Sequence, residues 1–327
     1  MAISPASLSP ASLDPELAAA LAAMPKGANG SLMDLTDIPA LRAQVEALNA
    51  RLQSPAPDPR ITVETLQVQR SDRSTLDVVL FKPSGADGLL PAVLWFHAGG
   101  QVLGTAHGDA EYHGTLALSL SSVIAVVDYR LAPETPAPGT AEDGYLAYTY
   151  LVAHAGDHQI DPGRIGIAGA SGGGGVAAAT ALMIRDRGAA RPCLLSLSYP
   201  MLDDRNETPS SFQVTDIGIW DRRENLLAWA AVLGDRAGQP DVDPYSAPGR
   251  ATELHAIPET FIAAAQFDVF RDENIDFGNR LMAAGVPVEL HVYAHAYHAW
   301  DRFAPASHLA RSFEHTWHEF LSRRLHG

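Results

Sequence analysis

Cysteine is almost absent from this chain: Cys193 stands alone among 327 residues. An intrachain disulfide and a cysteine-based metal cluster are therefore excluded. Cys193 opens the apolar run Cys193–Tyr199, where packing fits better than thiol chemistry. Basic residues are also few, 23 against 38 acids, for a net charge of −15. That balance argues against a nucleic-acid partner, which needs positive charge along the phosphates, and against attraction to an anionic membrane surface. No apolar run is long enough to span a bilayer. The N-terminus, broken by Pro5, Pro10 and Pro15, lacks the basic-then-apolar pattern of a signal peptide, so the expected location is cytoplasmic. His154, His158, His315 and His318 lie at helical spacing with no acidic ligand set beside them, and neither a metal nor a cofactor is implied.

What the chain has is apolar bulk, 46% hydrophobic residues, enough for a large core. Residues 1–60 are set apart by Ala, Ser, Leu and Pro. Helices are expected over Leu13–Met24 and Ile38–Leu52, joined by a Gly27–Gly30 turn and followed by a stiff proline-rich linker, Ser54–Pro59. From Ile61 the pattern turns to strands. Ile61–Val68 and Thr75–Lys82 read as a pair, and Pro91–His97 as a buried run. Strands at 122–127, 165–168, 193–199, 260–265 and 288–293 then alternate with helices at 139–155, after 171, at 272–284 and at 307–325. Short apolar strands alternating with helices imply an α/β fold, a mostly parallel sheet covered on both faces with an antiparallel start. Residues 201–235 interrupt that rhythm with Met201, Trp220, Leu226, Leu227 and Trp229, and read as an insertion packed over the sheet edge.

The chemistry concentrates at Gly169-Ala170-Ser171-Gly172-Gly173, between an apolar strand and a helix-forming run. Strand, tight serine-centred turn and helix make a nucleophile elbow. A serine hydroxyl needs a base to take its proton and a carboxylate to orient that base. Asp268 ends the strand begun at Thr260, and the loop after the strand begun at Val288 carries His295 and His298, which the residues alone do not separate. Asp272, Glu273 and Asp276 compete with Asp268, but they fall in the first turns of a helix, where acids are ordinary dipole partners. An oxyanion hole needs backbone N–H groups beside the serine. Gly172 offers one, and the loop His97-Ala98-Gly99-Gly100, following an early strand, offers the others.

Together these segments resemble the bacterial hormone-sensitive-lipase family of α/β-hydrolase esterases, over roughly residues 60–325. His97–Gly100 stands for its H-G-G-G loop, Gly169–Gly174 for G-D-S-A-G-G, and Asp268–Glu273 for D-x-x-R-D-E, while Asp128-Tyr129-Arg130-Leu131-Ala132-Pro133-Glu134 is intact. The resemblance selects His298, within Tyr297-His298-Ala299-Trp300, over His295. It implies an α/β-hydrolase domain over 61–327 and a helical cap made by residues 1–60 and the insertion at about 201–235. It implies a serine carboxylesterase for small, short-to-medium-chain apolar esters, with Ser171, Asp268 and His298 catalytic and Gly99, Gly100 and Gly172 in the oxyanion hole. Trp220, Leu226 and Trp229, with Val102 and Leu103, would line the acyl pocket. A homodimer through the last strand and a neighbouring helix is implied in the same way, by analogy alone. Amidase, carbamate hydrolase and acyltransferase chemistry use the same triad, and receptors on this fold have typically lost one of its members. Three residues depart from the pattern: Ala98, Ala170 and Ala299. Alanine at 98 requires a negative φ there, or strain of about 1–2 kcal/mol.

Overall fold

In the computed structural model of the protein, which describes residues 8–24, 32–52 and 58–327, the apolar runs assemble into one eight-stranded sheet. The expected Gly27–Gly30 turn and residues 54–57 of the expected linker lie outside the described residues. The strands are β1 (Ile61–Gln69), β2 (Thr75–Pro83), β3 (Leu90–Phe96), β4 (Val123–Val127), β5 (Ile160–Ala170), β6 (Leu195–Ser198), β7 (Thr260–Phe267) and β8 (Val288–Tyr297). Their spatial order is β1-β2-β4-β3-β5-β6-β7-β8. β2 runs antiparallel to both β1 and β4, and every later pairing is parallel. The α/β-hydrolase fold and the antiparallel start are therefore as the sequence implies.

Ten helices accompany the sheet among the described residues: α1 (Pro15–Ala22), α2 (Ile38–Leu52), α3 (Ala110–Ser119), α4 (Gly139–Ala153), α5 (Gly172–Asp186), α6 (Pro209–Gln213), α7 (Arg222–Leu233), α8 (Arg271–Ala283), α9 (Trp300–Phe303) and α10 (His308–His326). Both sheet faces are buried. Val93 and Trp95 point into one apolar cluster with Leu116, Trp317 and Phe320, while Leu94 and Phe96 point into another with Tyr148, Leu182 and Phe277. This is why β3 reads as a continuous apolar run instead of an alternating one. No helix among the described residues is long and apolar enough to cross a membrane.

Local chemistry sets the helix starts. Asp14, Thr208, Asp221 and Ser307 cap α1, α6, α7 and α10 by accepting free backbone N–H groups. α3 escapes the sequence reading because its window is short and holds Gly114; it forms by burying His113, Gly114, Leu116 and Ala117. β8 outruns its expected end at Tyr293, since Phe267 pairs with Tyr297 after a register shift. Leu13, Leu17 and Leu35 from the N-terminal segments and Trp220, Ala228 and Trp229 from the 201–235 segment share one apolar cluster with Val102 and Leu103. Leu35 N–H also donates to the buried Glu224 carboxylate of α7 at 3.0 Å.

Candidate active site

β5 delivers Ser171 and α5 leaves from it within a single residue. Ser171 sits at φ +55°, ψ −123°, a backbone conformation rare outside glycine. Its N–H donates to Ser198 O at 2.9 Å, and its own carbonyl accepts from Met201 N at 3.0 Å, so β6 and the chain after it fix the turn. The glycines around it are steric necessities. A Cβ on Gly169 would lie 2.3 Å from Gly173 O, and one on Gly173 would lie 2.2 Å from His97 O.

Ser171 Oγ lies 2.9 Å from His298 Nε2, and His298 Nδ1 lies 2.7 Å from Asp268 Oδ2. The pairing assigns the proton on the ring to Nδ1, donated to the carboxylate, and leaves Nε2 to accept from the hydroxyl. Asp268 is fully buried, and its other oxygen accepts Phe270 N–H at 3.0 Å. Three rings surround the imidazole: Tyr199 and Phe270 edge-on at 5.0 and 5.2 Å, and Trp220 at 6.3 Å. Water is largely excluded from the Ser171–His298–Asp268 line.

His295 is turned elsewhere. It adopts φ +64°, and its Nδ1 meets Ser12 O at 2.7 Å while its carbonyl accepts Asp14 N–H at 3.0 Å. The rival acids are also engaged away from His298. Asp272 accepts Ser210 N–H and pairs with Arg271, and Asp276 pairs with Arg280. Glu273 accepts Leu202 N–H at 2.7 Å in a fully buried position, and burial pushes its pKa well above the usual carboxylate range.

The loop after β3 supplies unsatisfied donors. Gly99 and Gly100 occupy φ +122° and +59°, and a Cβ on Gly99 would lie 2.3 Å from Leu103 O. Val102 and Leu103 N–H groups fold back onto Gly99 O at 3.0 and 2.9 Å. Neither Gly99 N–H nor Gly100 N–H has a backbone acceptor among the described residues. A Cβ on Gly172 would lie 2.7 Å from Gly100 N, so the loop amides lie against the N-terminus of α5, whose first N–H groups are free. Such a cluster of N–H groups favours developing negative charge. Ala98 is not among the left-handed residues, which settles its departure without strain. Ala299 does take a left-handed conformation, φ +59°, ψ +31°, at a cost of about 1–2 kcal/mol. Ala170 is buried at the end of β5.

The loop is also held from behind, by residues that the sequence reading did not assign to the site. The Tyr129 ring stacks on His97 at 4.3 Å, and its hydroxyl donates to His97 O at 2.8 Å. Burial holds the His97 pKa below its ordinary value, and its Nδ1 lies 2.9 Å from Ala98 O. Ala132 N–H donates to Gln101 O at 2.9 Å. Arg42 of α2 donates from Nε to Val102 O at 2.8 Å and from Nη2 to Ala132 O at 2.6 Å. A partner ninety positions away leaves no local pattern to read.

Of the expected pocket residues, Trp220 alone is seen against both halves of the site. A Cβ on Gly100 would lie 2.6 Å from its Cη2, and its ring faces His298. Its Nε1 donates to Asn225 at 3.3 Å, which in turn donates to Asn206 at 2.5 Å. Val102, Leu103 and Trp229 are buried in the adjoining apolar cluster. Leu226 is not brought to Ser171: it is 46% exposed and lines a surface hollow with Thr36, Thr215, Arg222, Arg223 and Leu227. Asp14, Glu16 and His308 place ligand-type atoms within 4.8 Å of one another, but as a helix cap and an exposed ion pair between α1 and α10.

The family described as alpha/beta hydrolase fold matches residues 93–302. Esterase LipI of Mycobacterium tuberculosis is 38% identical over 226 residues, 66% of this chain and 68% of its own length. Carboxylesterase NlhH of the same species is 31% identical over 266 residues, 80% of this chain and 83% of its own. Among solved structures, a bacterial heroin esterase superposes with a TM-score of 0.90 at 36% identity, covering 97% of this chain and 99% of its own.

Proposed function

As a member of the alpha/beta hydrolase fold family this chain is a carboxylic ester hydrolase, and we propose that it works through an acyl-enzyme on Ser171, with His298 as base and Asp268 as its orienting acid. The observation that carries the reading is the unbroken line from Ser171 Oγ to His298 Nε2, 2.9 Å, and from His298 Nδ1 to Asp268, 2.7 Å.

Ser171 Oγ attacks the ester carbonyl carbon as its proton passes to His298 Nε2. Asp268 keeps the imidazole in the required tautomer and offsets the charge it gains. The carbonyl oxygen, now carrying negative charge, is met by N–H groups of Gly99, Gly100 and Gly172. His298 then returns the proton to the departing alcohol. Water takes that alcohol's place and attacks the acyl carbon as its proton passes to His298; His298 then returns the proton to Ser171 Oγ as the Oγ–acyl bond breaks and the acid leaves. The substrates are small esters with short-to-medium acyl chains, because the Trp220 indole occupies the space between Gly100 and His298. The N-terminal segments and residues 201–235, packed together over this side of the sheet, act as the cap.

The test is release of p-nitrophenol from acetate, butyrate and octanoate esters by the wild type and by Ser171→Ala and His298→Ala. Each substitution should lower kcat by about 10⁴–10⁶-fold while the protein stays folded. A folded Ser171→Ala protein with wild-type kcat would overturn the assignment. Anilide and carbamate analogues, and added alcohols competing with water, separate amidase, carbamate hydrolase and acyl-transfer chemistry in the same assay.

A further inference from the structure

We propose that Tyr199 and Asp301 form a positioning pair for His298, with the Asp301 carboxylate acting on the imidazole through the Tyr199 ring and through its own charge. The proposal rests on His298 being the base. Tyr199 stands one residue beyond β6 at φ +39°, a left-handed conformation that a bulky side chain ordinarily avoids. Its N–H donates to Ala263 O at 2.7 Å, which continues the β6–β7 ladder and holds the backbone in that state. The result is a ring set edge-on to His298 at 5.0 Å and to Trp300 at 5.6 Å. Backbone strain of this kind persists only where the surroundings enforce it, and it gathers at functional sites.

The Tyr199 hydroxyl donates to Asp301 Oδ1 at 2.8 Å, and both residues are buried. Asp301 follows His298 by three residues, across left-handed Ala299 and into α9. A closed circuit results: His298, its own turn, Asp301, Tyr199, and back to the His298 ring. No ion pair satisfies this carboxylate among the described residues. The neighbouring Arg302 reaches Asp109 at 3.1 Å and lies over the Tyr112 ring at 3.8 Å. Besides His298 and Tyr199, the charged and titratable groups around Asp301 are Arg302, Tyr112, Tyr293, Tyr297 and Glu314, with Asp109, His97 and His113 lining the same small hollow.

Burial raises the Asp301 pKa above the ordinary carboxylate value, so an ionised group here is costly to keep. A neutral side chain would hold the tyrosine hydroxyl at less expense to folding. A carboxylate adds something a neutral group lacks, a negative field beside a ring that becomes positive in each half of the reaction. It thereby favours the imidazolium while the ring contact fixes its orientation.

The experiment compares Asp301→Asn, Asp301→Glu and Tyr199→Phe in the full chain, following kcat/KM for p-nitrophenyl acetate between pH 5 and 9. Asp301→Asn should lower kcat on the order of tenfold with KM within about twofold, and move the acid limb downward by roughly half to one pH unit. Tyr199→Phe removes the carboxylate's donor, favours its protonated form and should move the limb in the same direction. Asp301→Glu should restore part of both effects. Folded variants with the wild-type kcat and an unmoved acid limb would overturn the proposal. So would a lower melting temperature unaccompanied by a shift of the limb. If Asp301→Asn does not fold, Tyr199→Phe, which deletes one atom, decides the question with the ¹H NMR titration of the His298 ring. His298→Ala serves as control: activity surviving in it would overturn the base assignment, whereas its loss with an unmoved limb in the other variants would overturn only the pair.

Discussion

Replacing Trp220 by alanine should change which ester the enzyme prefers. The indole is 3% exposed, its Cη2 lies 2.6 Å from where a Gly100 Cβ would stand, and its ring centroid lies 6.3 Å from that of His298. Deleting it removes the wall between the Gly99–Gly100 loop and His298, with room for about three methylenes of an acyl chain. Each methylene buried there is worth about 0.8 kcal/mol, close to fourfold in kcat/KM. Three methylenes amount to about 2.4 kcal/mol, or roughly 60-fold. The assay is the ratio of kcat/KM for p-nitrophenyl octanoate to that for butyrate, which should rise by about that factor in Trp220→Ala. Stability should fall by about 3–5 kcal/mol, the usual loss for a large buried aromatic, so folding is checked by near-UV circular dichroism first. Leu226→Ala is the control. Being 46% exposed and outside the site, it should leave the ratio unchanged. A folded Trp220→Ala protein whose ratio stays within about threefold of wild type would refute the reasoning, because the indole would then not be what limits the chain.

Ala299→Gly relieves a left-handed alanine, at φ +59°, and should gain about 1–2 kcal/mol of strain while losing about 0.4–1 to the unfolded chain's added freedom. The net should appear in calorimetry as a melting temperature higher by about 1–3 °C; a lower one would contradict the strain assigned to that turn. Glu273 predicts the shape of the pH–stability curve. Its folded pKa is raised well above an unfolded value near 4.5, so between the two the folded state binds more protons and stability falls as pH rises. Glu273→Gln removes that loss and should stabilise more at pH 8 than at pH 5 in urea titrations; equal gains at both would count against a buried, proton-holding carboxylate.

The parts of this molecule that the sequence reveals are those written in adjacent residues. A strand, Gly169–Gly173 and a helix are contiguous, so the Ser171 turn is legible, as is the change of pattern at Ile61 that foretells the antiparallel start. His295 and His298 show the limit. Three residues apart, His295 near the end of β8 and His298 just past it, they differ by backbone conformation and by what lies opposite, Ser12 in one case and Ser171 in the other, and neither is a local property. The family resemblance, not residue chemistry, separates them. Leu226 and Trp220 differ likewise: both are large and apolar in the same segment, but Leu226 lies on an exposed face of α7, while Trp220, just before that helix, packs against Gly100. Tyr199 and Asp301 lie 102 positions apart, so only the parallel sheet, which brings the ends of β6 and β8 to one rim, makes them partners.

The N-terminal segments carry a consequence of a different sort, one of timing. Ser12 is bonded to a residue 283 positions later, Leu35 to one 189 later, and Arg42 to three at 60, 90 and 92. Synthesis produces these segments well before their partners, which lie near the end of β8, in α7 and in the loops at 102 and 132. Long-range closures of this kind come late because loop entropy must be overcome before they form. Segments made well before their partners are thus among the last to dock, and the loops around Ser171 receive their outer supports only when β8 has joined the sheet. A chain arrested short of β8 lacks both His298 and the anchor for Ser12, so on the proposed mechanism hydrolysis waits until β8 is in place.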